Sequence, residues 1–189
     1  MAVWHFKFDI VPRDGLRRVL GCIPPLLSEH VVSAELPFGA DDPPNYWEGL
    51  DMSGVVASVR RLFPSAEGSG EYQTFGDDER NKVVVYPSGI YCYIDLRNYD
   101  RRLVTEILSV AHRHNCVIAV IGPGSIIEPN ITTLESYIPS SGAYAFCADP
   151  EGYLVSSGRR IPLMPISPAP AEFGGRSNIP PKRIPPNPD

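Results

Sequence analysis

Asp95 and Arg97 stand two positions apart in the stretch YIDLRNYD, residues 93–100. In an extended chain alternate side chains share a face, so both project to one side, about 7 Å apart. An arginine fork beside a carboxylate can hold an anionic ligand. The same pair can equally lock a strand end, through a salt bridge or through bonds to loop backbone. No nucleophile or general base lies nearby in the sequence. Asp95 and Arg97 are therefore expected to hold the fold, with ligand binding as the alternative.

Other residues with chemical potential are weaker signals. His112, His114 and Cys116 form an HxHxC pattern. On a helix, residues two apart do not share a face, and no second ligand pair at zinc spacing exists elsewhere. No metal and no cofactor are expected. GPGSI, residues 122–126, lacks the GK[ST] ending of a phosphate loop, and GxGxxG, GxSxG and HExxH are absent. The chain is thus expected not to be an enzyme. Tyr91 and Tyr93 share the Asp95 face, as stacking aromatics do on RNA-binding sheets. The basic surround that phosphate contacts need is missing from the body, which argues against nucleic acid.

Charge is distributed unevenly. The first 155 residues carry 12 basic against 20 acidic side chains, and the remainder 5 against 2. An acidic body repels nucleic acid and anionic membrane and can attract a basic protein; it also serves plain solubility. The longest purely apolar run, CVIAVI at 116–121, is far too short to span a bilayer, so no membrane partner is expected. The N-terminus alternates apolar and polar residues, unlike a signal peptide. Cys22, Cys92, Cys116 and Cys147 form no CxxC pair and lie in or beside apolar stretches. They are expected to be buried, reduced thiols of a cytoplasmic protein.

These residues need elements to position them. Residues 3–10 predict a strand, 13–21 a short helix closed by Gly21, and 51–63 a helix with Asp51 as N-cap. HVVSAEL at 30–36 is a possible short strand. Residues 65–71 and 75–81 predict loops. KVVVY at 82–86 and IYCYIDLR at 90–97 flank PSG and predict a hairpin in which Gly89 can take positive φ. Residues 99–114 predict the best helix, capped by Asn98 or Asp100 and ended by Asn115. CVIAVI predicts a buried strand that GPG ends. One helix follows from about 131, kinking or ending near Pro139, and DPEGYL at 149–154 predicts a turn. The expected fold is α+β: a ferredoxin-like β-α-β-β-α-β core with a mostly antiparallel sheet, an added C-terminal helix and a proline-rich extended tail. The domain is placed at 1–155. Residues 156–189 form a basic tail with nine prolines between 162 and 188, which rules out helix there.

NYWEGL (45–50), FGDDERN (75–81), YIDLRNYD with the helix and strand after it (93–120), and IIEPN through SSGAYAFCADPEGYL (126–154) together resemble uncharacterised bacterial immunity-type proteins. That resemblance covers about residues 1–155. It implies a small cytosolic protein that neutralises a secreted toxin. This chain departs from the pattern at FGDD, where a Trp-Gly pair is usual, and in its tail.

The expected function is non-enzymatic binding of another protein, a basic toxin if the resemblance holds. The expected contact surface is acidic: Asp41, Asp42 and Glu48 with Tyr46 and Trp47 as aromatic anchors, and Asp77, Asp78 and Glu79. The alternative is a small-molecule or nucleotide sensor, or a degenerate enzyme, using the Asp95/Arg97 end of the sheet. A third reading is an assembly protein that straps its tail to a neighbour. The sequence does not fix the oligomeric state.

Overall fold

The computed structural model describes residues 3–31, 44–63, 66–67 and 72–156. Asp41, Asp42, the part of the expected 30–36 strand beyond Val31 and the proline-rich tail lie outside the described residues.

Among the described residues eight strands form one antiparallel sheet: β1 (His5–Pro12), β2 (Leu26–Val31), β3 (Ala66–Glu67), β4 (Gln73–Gly76), β5 (Lys82–Tyr86), β6 (Gly89–Asp95), β7 (Cys116–Val120) and β8 (Pro123–Ile127). Their order is β2-β8-β7-β1-β6-β5-β4-β3. Among the described residues six α-helices accompany them: α1 (Arg13–Leu20), α2 (Ser53–Leu62), α3 (Arg101–Arg113), α4 (Ile131–Glu135), α5 (Gly142–Ala148) and α6 (Pro150–Ser156).

Alternation along the central strands creates two faces. Phe6, Phe8 and Ile10 of β1, with Ile90, Cys92 and Ile94 of β6, turn to one side and are buried. They pack against Val55 and Val59 of α2 and Val104, Ile107, Leu108 and Ala111 of α3. On the opposite side, Val11, Val117 and Ala119 cluster with Leu16 of α1, Leu27 of β2 and Tyr46. α1 sits close to residue 46, where a Cβ on Gly15 would lie 1.8 Å from the Tyr46 carbonyl oxygen.

α3 begins as its sequence dictates: the Asp100 carboxylate accepts the Leu103 N–H at 3.0 Å. Asn115, at φ 55°, turns the chain into β7. At α2 the cap differs from expectation. Met52 is the N-cap, and Asp51 instead accepts the N–H and hydroxyl of Ser53 from one residue earlier.

Several expectations are corrected. The strand of YIDLRNYD ends at Asp95, and residues 96–98 form a 3₁₀ turn. Gly89 does not take positive φ; a Cβ there would instead lie 2.8 Å from the Tyr91 ring. Residues 66–67 and 75–76, expected as loop, and 123–124, expected as a break, belong to strands β3, β4 and β8, because cross-strand pairing outweighs the local glycine content. Residues 150–154 of DPEGYL belong to α6, and the single helix expected from about 131 is broken near Pro139 into α4 and a 3₁₀ turn at 138–140, with a separate α5 after it. His114 packs against α2, bonded to Ser58 at 3.1 Å. Cys22 is exposed, since it follows the Gly21 turn instead of entering the core.

Candidate functional site

Cross-strand pairing sets His5 opposite Asp95 at one end of β1 and β6. Asp95 is 3% exposed. Its carboxylate accepts the backbone N–H of Arg97 and the Arg97 Nε and Nη2, each at 2.9 Å. Burial pushes its pKa up, but these bonds outweigh it and hold the carboxyl below its ordinary value. Arg97 also lies 4.0 Å over the Trp4 ring.

The same corner fixes the acidic turn. Arg97 donates to the Glu79 carbonyl, His5 bonds the Arg80 carbonyl at 2.7 Å, and the Asp95 N–H donates to the Asn81 side chain at 2.9 Å. Asp77 accepts the Glu79 N–H at 2.8 Å, and Asp78 pairs with Lys82 at 2.6 Å. Asp77, Asp78 and Glu79 are exposed on a turn whose backbone is clamped from behind.

Lys82 links this turn to the sheet face beside it, lying 4.9 Å from the centre of the Tyr93 ring. Register brings Tyr91 and Tyr93 of β6 next to Val84 and Lys82 of β5. From Tyr91 the rings continue outward: Tyr91 to Tyr86 at 5.6 Å, Tyr86 to Tyr72 at 5.5 Å. Tyr72 and Tyr86 are 47% and 39% exposed. Burial pushes the phenol pKa of Tyr91 and Tyr93 up, so both stay neutral.

At the other end of β1 the sheet face opens into a cavity of about 190 Å³, whose walls include Asp9, His30, Trp47, Ser88, Tyr91 and Ile121. The Asp9 carboxylate is bonded to His30 Nε2 at 2.7 Å. Burial raises the Asp9 pKa, against the opposing pull of His30. Ser88 lines the same cavity but bonds the Tyr91 phenol.

The sequence-predicted residues thus separate. Asp95 and Arg97 meet, and the groups that would form a ligand fork are committed to each other and to backbone. Tyr46 and Trp47, expected as exposed anchors, are each 5% exposed. Trp47 donates its indole N–H to the Ile10 carbonyl at 3.2 Å, and both side chains are core because the segment around them closes over the sheet. Glu48 is exposed beside them, its carbonyl bonded to Arg18. Sequence reasoning missed the Asp9–His30 pair, the residues lying far apart in the chain. Asp9, a charged residue in the middle of an apolar strand, was the available signal. It also missed the Tyr72–Tyr86 contact, which depends on the unrecognised β4.

No helix is long and apolar enough to cross a membrane, and no group of three or more metal-ligating side chains occurs, among the described residues. In comparison with known proteins, the chain matches no family model, no curated protein and no solved structure.

Proposed function

We propose that the chain is a non-enzymatic protein-binding protein that takes its partner on the tyrosine-bearing edge of the sheet and the acidic turn next to it. The ring chain Tyr91–Tyr86–Tyr72, ending in two exposed tyrosines, carries this reading. Tyrosine offers large contact area with few torsions to freeze, and aromatic residues are enriched where binding energy concentrates. The clamped turn adds fixed carboxylates, so little ordering entropy opposes binding. A basic partner suits that charge. The sequence resemblance to immunity-type proteins supports a toxin as that partner. The strand order β7-β1-β6-β5, with α2 and α3 packed on one face, supports a ferredoxin-like reading of the core.

The test is affinity capture with the tagged chain from an extract of the cell that makes it. A double variant, Tyr72→Ser with Tyr86→Ser, serves as comparator after its fold is checked by circular dichroism. A basic protein retained by the natural chain and lost from the variant supports the proposal. Equal capture by both, or capture of nucleic acid alone, overturns it.

A further inference from the structure

The Asp9 side chain is 8% exposed and lines the cavity beneath Trp47. Its Oδ2 is bonded to His30, and among the described residues no second hydrogen bond reaches the carboxylate. A carboxylate has room for about four hydrogen bonds. Asp9 lines the cavity, so its remaining acceptor capacity is open to a donor that enters there. The rest of the wall selects what carries that donor. Trp47, Tyr46 and Tyr91 supply aromatic surface, and Ile10, Val11 and Ile121 supply aliphatic surface. Aromatic faces attract cations, and a carboxylate among them reinforces that preference. Among the described residues that line the cavity, Asp9 is the one carboxylate, and neither Lys nor Arg is among them.

We propose that this cavity is a binding site for a compact organic cation, a primary amine or amidine-type group on an apolar body, with Asp9 as its counter-ion and His30 holding the carboxylate in place. The cation would donate to the Asp9 oxygen that His30 leaves free, while its apolar part fills the space under Trp47. This site goes beyond the protein-binding surface and does not depend on it, although Tyr91 borders both.

Phenethylamine and benzamidine are suitable probes, with 2-phenylethanol and phenylacetate as neutral and anionic counterparts. Binding to the full chain is followed by calorimetry and by tryptophan fluorescence. Both cations are expected to bind at least about tenfold more tightly than 2-phenylethanol, with phenylacetate weakest. Asp9→Asn, a near-isosteric change that removes the buried charge, is expected to erase the advantage of the cations. Three results would each overturn the proposal: no saturable binding of either cation up to about 10 mM, equal affinity for the neutral alcohol, or unchanged cation affinity in folded Asp9→Asn. The comparison among probes on the natural chain stands even if the variant fails to fold.

Discussion

The Asp95 carboxylate grips Arg97 at three points, its backbone N–H and two guanidinium nitrogens, each at 2.9 Å. The first of these bonds starts the 3₁₀ turn after β6. The guanidinium bonds fix a side chain that in turn holds the Glu79 carbonyl. Asp95→Asn keeps the shape but weakens every charge-assisted bond. The expected loss is on the order of 1–2 kcal/mol, measured by urea denaturation. The shift also has a pH signature. A carboxyl with a depressed folded pKa stabilises the fold above its unfolded value of 3.8. That stability drains away as pH falls through the lower, folded value. The variant should therefore be less stable than the natural chain at neutral pH and converge on it in strong acid. Partner affinity of the folded fraction should fall less than stability does.

Much of this corner was legible in YIDLRNYD. Alternation puts Asp95 and Arg97 on one face, and a short carboxylate before an amphipathic run marks the Asp100 cap. What was not legible depends on distant partners. His5 meets Asp95 through strand register, which no local pattern encodes. The strands at 73–76 and 123–127 are short and glycine-bearing, and exist because β5 and β7 offer them ladders. Trp47 among acidic and polar neighbours looked exposed; its burial comes from packing in the core, where it also bonds Ile10, 37 residues away. The cavity likewise joins β1, β6 and the two segments that carry His30 and Trp47.

His5 makes acid sensitivity begin earlier than Asp95 does. Burial lowers its pKa below the ordinary 6.5, against opposing contributions from the Arg80 carbonyl and Asp95. Lys82 and Lys7 push in the same direction as burial. Below pH 6.5 the unfolded chain takes up this proton while the folded chain resists it, so stability falls as pH drops until the folded value is passed. Asp9, whose pKa is raised, acts in the opposite sense: its buried carboxyl favours the protonated state, so it costs stability as pH rises above 3.8. His5→Gln retains an N–H donor for the Arg80 carbonyl but cannot titrate. Thermal melts from pH 7 downward should show a shallower initial decline in the variant. An identical decline would assign that acid sensitivity to other groups.

Among the three acidic residues of the turn, Glu79 is the cleanest probe of partner steering. Asp77 uses a carboxylate oxygen to cap its own turn, and Asp78 is neutralised in part by Lys82. Reversing either would alter structure as well as charge. The Glu79 side chain is exposed, and the turn uses its backbone groups instead. With a basic partner, Glu79→Lys should slow association several-fold in low salt and leave dissociation nearly unchanged, since peripheral charges act mainly on encounter. The difference should shrink as ionic strength rises and the Debye length contracts. Stopped-flow or biosensor kinetics at two salt concentrations measures both. An unchanged on-rate in low salt would remove the acidic turn from the interface.

Trp47 separates a core residue from a binding anchor. Its indole is 5% exposed and donates to the Ile10 carbonyl. Trp47→Phe keeps an aromatic ring but removes the donor and some volume, so a stability loss of about 2 kcal/mol is expected. Trp47→Ala should cost more, about 3–5 kcal/mol, because a large buried side chain leaves a cavity that the sheet cannot close. An exposed anchor would show the reverse pattern: weak effects on unfolding and a large loss of partner affinity. Denaturation of both variants, with affinity measured for the folded Trp47→Phe protein, distinguishes the two roles. The structure calls for a large stability change and an unaltered affinity.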